Sequence, residues 1–185
     1  MDRAVISRRN FLKVSSGLVA AAAVSPVWAR HQSIPEHERS LTFYNLHTGE
    51  KLRSTYWVEG EYIPTELSSI NHLLRDHRNG SQIEMDHSLL DLLHDIRLVT
   101  GFSDPLHVIS GYRSPATNAK LRKNSGGVAK KSLHMQGKAI DIRMPGLNLD
   151  TLHTRALSLR AGGVGYYRRS NFIHLDVGRV RNWRG

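Results

Sequence analysis

The first hydrophobic pattern along the chain is that of paired strands. Two runs rich in β-branched and aromatic residues flank the turn sequence HTGE, and a second turn falls at Glu59-Gly60. This pattern predicts a hairpin or a three-strand meander over residues 41–63. The preceding residues 30–40 are polar and charged and include Pro35, so we expect a linker there.

The pattern then changes to the period of amphipathic helices. Apolar residues at helical spacing predict a helix that starts near Thr65 and ends at Asn79-Gly80. A second helix is expected between Asp86, a residue type suited to the N-cap, and Gly101, which would end it.

Strands and helices are mixed in the second half of the chain. The runs LHVIS and KAIDIRM predict two strands, and GGVGYY and NFIHLDVG, joined by the turn RRSN, predict a closing hairpin. Helices are expected after Ser114, with Pro115 in the first turn, and from Asn148 to Gly162. Because strands do not alternate regularly with helices, we predict an α+β fold with a mostly antiparallel sheet backed by helices.

Residues 1–29 have the layout of a secretory signal. The twin arginines Arg8 and Arg9 precede an apolar run, and Val27 and Ala29 fit the small positions before a cleavage site. The run is shorter than the ~20 residues of a membrane span. We therefore predict a Tat-type signal cleaved after Ala29 and a periplasmic mature protein without stable membrane insertion. The alternative is a signal that is kept as an N-terminal anchor.

The charge of the remaining chain points to an anionic partner. The whole chain has a formal net charge of +10, and removal of residues 1–29 takes away four basic residues and one acidic residue, which leaves about +7. Outside the cytoplasm the abundant anionic materials are the cell wall and lipid head groups, so nucleic acid is not the expected partner. The absence of cysteine excludes disulfides and thiolate metal sites.

Three segments carry polar residues that a hydrophobic core would not select. Asp141 interrupts an apolar β-run, where an unpaired charge is costly. His174 and Asp176 alternate along a predicted strand and therefore share a face. With His134 they offer two imidazoles and a carboxylate, a usual ligand set of catalytic zinc. Taken singly, His134 is more often a surface group, Asp141 a salt-bridge partner and Arg113, in the turn GYRS, an anchor for a helix end.

The joint pattern resembles a known family. SLHMQGKAIDI matches the S-x-H-x-x-G-x-A-x-D motif of the zinc D-Ala-D-Ala peptidases and their Hedgehog-fold relatives. The stretches HVISGYRSPATNAKL, GGVGYY and FIHLDVGRVRNW resemble the YcbK-like (MepK-type) murein endopeptidases, a branch of that superfamily. The resemblance runs from LTFYNLHTGEKL to VRNW and implies one Hedgehog/DD-peptidase-like zinc peptidase domain over residues 41–185.

The resemblance also implies the chemistry. It implies one Zn²⁺ per chain held by His134, Asp141 and His174, and hydrolysis of a peptide bond in peptidoglycan, including cross-links between two meso-diaminopimelate residues. It places Arg113 near the scissile carbonyl or a substrate carboxylate, and Ser132 near the substrate terminus.

One position departs from the pattern of many relatives. Three residues before the second histidine, where they carry an acidic general base, this chain has Asn171. We therefore predict that Asp176, on the strand face of His174, is the general base. Two alternatives to the endopeptidase remain, a carboxypeptidase that releases terminal D-Ala and a cell-wall-binding module without catalytic activity.

Overall fold

A computed structural model describes residues 37–124 and 127–185. The predicted signal peptide and residues 30–36 of the predicted linker lie outside these residues. The end of the predicted linker is different from expectation, because the first strand already begins at Glu38.

Eight strands and four helices make up the described part of the chain. The strands are β1 (Glu38–Asn45), β2 (Lys51–Val58), β3 (Glu61–Tyr62), β4 (Leu106–Ser110), β5 (Ala139–Arg143), β6 (Gly163–Tyr167), β7 (Phe172–Asp176) and β8 (Arg181–Arg184). The helices are α1 (Pro64–Leu73), α2 (His87–Thr100), α3 (Pro115–Asn124) and α4 (Leu149–Leu159), with a 3₁₀ turn at Leu133–Gln136. None of the helices in this part of the chain has the length and apolar character needed to cross a membrane.

All eight strands belong to one sheet, in the order β3-β2-β1-β4-β5-β7-β6-β8. Neighbouring strands are antiparallel except for two parallel pairs, β1 with β4 and β6 with β8. Helices α1, α2 and α4 pack against strands of this sheet. The prediction of an α+β fold with a mostly antiparallel sheet backed by helices is therefore confirmed.

The hydrophobic core lies between the helices and the sheet. Alternate residues of β1 point inward, and Leu41 and Phe43 are fully buried. From α2, Leu89, Leu93 and Ile96 are fully buried as well, as the helical spacing of the apolar residues predicts.

The ends of the helices follow the predicted caps with two exceptions. The Asp86 side chain accepts a hydrogen bond from the Ser88 backbone N–H, and Gly101 ends α2 in the left-handed conformation. Helix α1 ends at Leu73, well before Gly80, because the next residues form a loop organised by Asp76. Helix α4 ends at Leu159, also before the predicted glycine.

The loop after α1 supports the turn that carries Arg113. Asp76 is almost fully buried and accepts hydrogen bonds from the backbone N–H groups of Ser114 (2.9 Å) and Arg78 (3.1 Å). Burial alone would raise the pKa of Asp76, but hydrogen bonds from Thr117, Ser114 and Arg78 outweigh it and lower that pKa. Asp76 is therefore a buried carboxylate that holds two loops together.

Gly137 allows the motif segment to approach the start of α2. Its φ is +67°, in the left-handed region, and its carbonyl accepts the Asp86 backbone N–H at 2.9 Å. A β-carbon at this position would lie 2.5 Å from the backbone oxygen of Glu84, closer than real contacts allow. The glycine of the motif is therefore required both by its backbone conformation and by its neighbour.

We predict that Gly137→Ala destabilises the fold more than Gly49→Ala. Gly49 has a similar φ of +75° but open space around the missing β-carbon, so alanine there costs only the left-handed conformation, about 1 kcal/mol. Alanine at Gly137 adds the contact with the Glu84 carbonyl, and the free energy of unfolding should fall at least twice as far. Urea unfolding of both variants measures this, and equal losses would contradict it.

We also predict that Asp76→Asn lowers the free energy of unfolding by about 1–3 kcal/mol at pH 7. The folded-state pKa of Asp76 is lowered, so the carboxylate stabilises the fold above its unfolded pKa of about 4 and loses this contribution as pH falls through the folded pKa. The difference between wild type and variant should therefore shrink from pH 7 to pH 3. Urea unfolding at both pH values tests it, with the exposed Asp104→Asn as control; a difference independent of pH would contradict it.

Candidate metal centre

The strand register brings two of the predicted ligands together. Asp141 of β5 and His174 of β7 are direct partners across an antiparallel pair. His134 lies in the 3₁₀ turn that precedes β5, and Gly137 ends this turn. The three predicted ligands thus come from adjacent parts of the fold, and all three are largely buried.

The ligand atoms converge on one point. The Nε2 atom of His134 lies 3.1 Å from Nδ1 of His174 and 3.3 Å from Oδ1 of Asp141, and His174 Nδ1 lies 2.9 Å from the same oxygen. Four ligands at ~2.0–2.1 Å from a tetrahedral zinc are separated by about 3.3 Å from one another. The donor set and its spacing therefore fit a zinc ion. Within the described residues, no other group of three or more His, Cys, Asp or Glu side chains could hold a metal ion.

The outer nitrogen of each histidine has its own partner. Nδ1 of His134 donates to the backbone oxygen of Gly111 at 2.7 Å, which leaves the lone pair of Nε2 directed toward the cluster. His174 has the opposite orientation, with Nδ1 in the cluster and Nε2 donating to Asp176 at 2.9 Å. Such outer partners fix the ring orientation of metal-binding histidines.

Arg113 holds the outer oxygen of the predicted carboxylate ligand. Its Nη2 donates to Oδ2 of Asp141 at 3.3 Å and to the Ser110 hydroxyl at 3.2 Å. The backbone N–H of Arg113 donates to the backbone oxygen of His134. Arg113 is therefore bonded to the segments of two predicted ligands, and Oδ1 of Asp141 remains directed at the cluster.

The surroundings of the three predicted ligands determine their protonation. Burial lowers the pKa of His134, although Asp141 opposes this shift. Burial alone would raise the pKa of Asp141, but His134 and His174 hold it well below its ordinary range. Burial also disfavours protonation of His174, yet its hydrogen bonds to Asp141 and Asp176 outweigh it and raise the pKa. Lowered pKa values favour an ionised Asp141 and a neutral His134, the forms that bind a cation. His174, whose pKa is raised, would release a proton when a cation binds.

A cavity of about 400 Å³ opens onto the cluster. One wall is aromatic, formed by Tyr167, Phe172 and Trp183, in which Tyr167 and Phe172 stack with centroids 4.5 Å apart. The remaining lining includes the cations Arg113, Lys131 and Arg181 and the predicted substrate residue Ser132. The cavity can therefore accept a chain with carboxylates as well as apolar atoms.

Asp176 does not occupy the position expected of a general base. The predicted shared strand face is confirmed, since its carboxylate meets His174, but on the ring nitrogen that faces away from the cluster. Asp176 is fully buried and is not among the residues that line the cavity. The predicted role of Asp176 as general base does not fit this geometry, because a proton acceptor must reach the attacking water. Asp141 is the only carboxylate in the described cavity wall.

Asn171, at the position that departs from the family pattern, belongs to the turn between β6 and β7. Its φ is +51°, and its backbone N–H closes the turn onto the oxygen of Arg168 at 3.2 Å. Asparagine is one of the few residues that adopt this conformation readily. The side chain is exposed and does not line the cavity, so Asn171 has a structural explanation.

Sequence reasoning did not identify the residues that support the ligands. Gly111, Arg181 and Trp183 contact the predicted ligands directly or through Asp176, and no hydrophobic pattern assigns them this role. Two sequence signals could have identified such residues, the glycines of GGVGYY and the terminal stretch GRVRNW. Both resemble the family, and neither has a role among the predicted site residues.

Comparisons with known proteins agree with the geometry. The profile of a peptidase family described as peptidoglycan L,D-endopeptidase MepK matches residues 33–183, and a twin-arginine translocation signal profile matches residues 5–25. The protein named peptidoglycan L,D-endopeptidase MepK in Escherichia coli strain K12 is 42% identical over 183 residues, which cover 99% of this chain and 100% of that protein. A Haemophilus influenzae protein, named with the qualifier "Probable", is 45% identical over 148 residues, or 80% of each chain. No solved structure matches the chain significantly.

Proposed function

The chain belongs to the peptidoglycan L,D-endopeptidase MepK family, and on this premise we propose that it hydrolyses peptide cross-links of peptidoglycan in the periplasm. The observation that carries the proposal is the convergence of His134, Asp141 and His174 at one side of a cavity. The Tat-type signal over residues 5–25 accounts for the location.

The three convergent residues would hold one zinc ion per chain. His134 would bind through Nε2, His174 through Nδ1 and Asp141 through Oδ1, because these are the atoms that face one another. Zinc bound there would supply Lewis-acid chemistry for the scissile carbonyl and the attacking water. The absence of cysteine and the open cavity on one side are typical of catalytic rather than structural zinc sites.

Arg113 has a position suited to the negative charge that develops during hydrolysis. It lines the cavity, is largely buried, and is fixed by Asp141 and Ser110. A guanidinium held in this way stabilises an oxyanion or binds a substrate carboxylate without having to reorganise. Ser132 also lines the cavity, next to the motif turn, where its hydroxyl can bind the substrate terminus.

The cavity lining suits the stem peptides of peptidoglycan. Lys131 and Arg181 add to the positive charge of Arg113 at the cavity, and stem peptides carry carboxylates, including that of meso-diaminopimelate. The excess of basic residues over the whole chain favours association with the anionic cell wall. We propose that cross-links between two meso-diaminopimelate residues are among the substrates, on the basis of the L,D-endopeptidase name of the relatives.

Two other functions would use the same cavity differently. A carboxypeptidase would remove terminal D-Ala, and a binding module would retain the peptide without cleaving it. The complete ligand set beside Arg113 favours an enzyme over a binding module. The relatives, which are named endopeptidases, favour internal cleavage over removal of a terminal residue.

We predict that His134→Ala and His174→Ala each abolish zinc binding and hydrolysis. Each substitution removes one of the three proposed protein ligands, and the remaining two would bind the cation too weakly to retain it. Elemental analysis of the purified protein and a muropeptide digest measure both effects. The control is His72→Ala, which removes an exposed imidazole outside the cavity lining and should change neither. Full zinc occupancy in both ligand variants would refute the assignment.

The products of purified muropeptides should identify the reaction. We expect cross-linked dimers to become monomers, chelator to stop the conversion, and added zinc to restore it. Chromatography of the digest should show this first for dimers joined through two meso-diaminopimelate residues. Free D-Ala with intact dimers would instead establish a carboxypeptidase, and no product from a zinc-loaded protein would establish a binding module.

A further inference from the structure

Strand β8 forms the outer edge of the sheet next to the metal centre. It pairs in parallel with β6, so that Arg181 lies beside Gly163 and Trp183 beside Gly165. The Trp183 ring lies 5.2 Å from the His174 ring, centroid to centroid. This edge strand therefore reaches one of the proposed zinc ligands.

Asp176 connects β8 to His174 through a saturated carboxylate. Its Oδ2 accepts Nε2–H of His174 at 2.9 Å and Nη2–H of Arg181 at 2.6 Å. Its Oδ1 accepts Nη1–H of Arg181 at 2.9 Å and the backbone N–H groups of Gly163 and Gly178. A carboxylate offers about four lone-pair sites, so no site remains for a water molecule.

Arg181 makes the two-pronged contact and also touches the cavity. Its guanidinium binds both oxygens of Asp176, and it lies over the Trp183 ring at 4.9 Å. Trp183 in turn donates its indole N–H to the Tyr167 hydroxyl at 3.0 Å. Both Arg181 and Trp183 line the cavity, whereas Asp176 does not. Arg181 is therefore a cavity residue that binds a carboxylate which is itself fully buried.

Two glycines of β6 make this arrangement possible. A β-carbon at Gly163 would collide with the Arg181 guanidinium and with the Asp176 carboxylate, and one at Gly165 would lie 2.7 Å from the Trp183 ring. Side chains at these positions would displace the Arg181 guanidinium and the Trp183 ring from their places over β6. The alternating glycines of GGVGYY thus leave room for the side chains of Asp176, Arg181 and Trp183, and Gly165 is the direct partner of His174 across β6 and β7.

We propose that Asp176 and Arg181 are a positioning pair that fixes the His174 imidazole with Nδ1 facing the metal. Asp176 fixes the ring by accepting Nε2–H, and Arg181 holds Asp176 in a single orientation through both of its oxygens. Bidentate arginine–carboxylate contacts are suited to this task because their geometry is rigid. The proposal rests on the zinc ligands proposed above. It gives Asp176 the role of orienting a zinc ligand, in place of the role of general base.

The test measures zinc affinity rather than turnover. The purified full chain is stripped of metal, and its Zn²⁺ dissociation constant is measured by competition with a chromophoric chelator. We expect Asp176→Asn and Arg181→Gln to weaken binding about 10–100-fold, the usual effect of losing an outer partner of a metal ligand. Arg181→Lys retains the charge without the fork and should recover part of the affinity. The matched control, Arg184→Gln, removes an exposed charge from the same strand and should leave affinity unchanged.

Two further measurements separate positioning from stability and from catalysis. The visible spectrum of the Co²⁺-loaded protein should change in Arg181→Gln, because the ligand geometry changes; thermal unfolding of the metal-free variants identifies any general loss of stability. Wild-type zinc affinity in Asp176→Asn and Arg181→Gln, with turnover strongly reduced in Asp176→Asn, would overturn the proposal in favour of a general base. If Asp176→Asn does not fold, the Arg181 variants decide the question, because this side chain is partly exposed and its replacement disturbs the core less.

Zinc binding by the wild-type protein distinguishes a failure of the positioning pair from a failure of the proposed metal site. Wild-type protein that binds no zinc would overturn the metal site and the positioning pair together. Wild-type protein that binds one zinc, with Arg181→Gln binding it equally well, would overturn the positioning pair alone.

Discussion

The antiparallel register of β5 and β7 is the constraint on which the site depends. It sets Asp141 opposite His174 and so brings a carboxylate oxygen within 2.9 Å of an imidazole nitrogen. A shift by one residue would turn one of these side chains to the other face of the sheet. Ile140 and Ile142, both fully buried on the core face, make such a shift costly. The hydrophobic core thus fixes the register of a polar site on the opposite face of the same strand.

Periodicity and capping predicted most of the elements because both are local properties. Asp86 and Asn148 cap the helices that follow them, and the alternating residues of β1 and β2 pair as a hairpin. Strand β8 could not be predicted, because RNWR has no apolar run. It becomes a strand because it pairs with the edge of β6 that faces away from β7. The 3₁₀ turn at Leu133–Gln136 was missed for a similar reason, since its form depends on Gly137 meeting the start of α2.

The site was predictable where chemistry conflicts with burial. Asp141 stands out because an apolar strand carries a charge there, and the motif resemblance supplied its partners. The residues that contact the predicted ligands from behind are fixed by contacts across the sheet, which no local pattern encodes. Asp176 illustrates the limit. A period of two predicts its face, but it predicts neither which nitrogen of His174 it meets nor that Arg181 binds both of its oxygens.

The number of residues between the members of the His134, Asp141 and His174 cluster affects the order of folding, and with it the compartment in which a metal ion could be bound. Asp141 to His174 and His134 to His174 close loops of 33 and 40 residues, whereas the parallel pairing of β1 with β4 joins Phe43 to Leu106. Shorter loops cost less entropy to close and form sooner. The cluster of His134, Asp141 and His174 is therefore favoured to assemble before β1 pairs with β4. Since the Tat pathway carries chains that have already folded, a metal ion bound by this set would be acquired in the compartment of synthesis and exported with the protein.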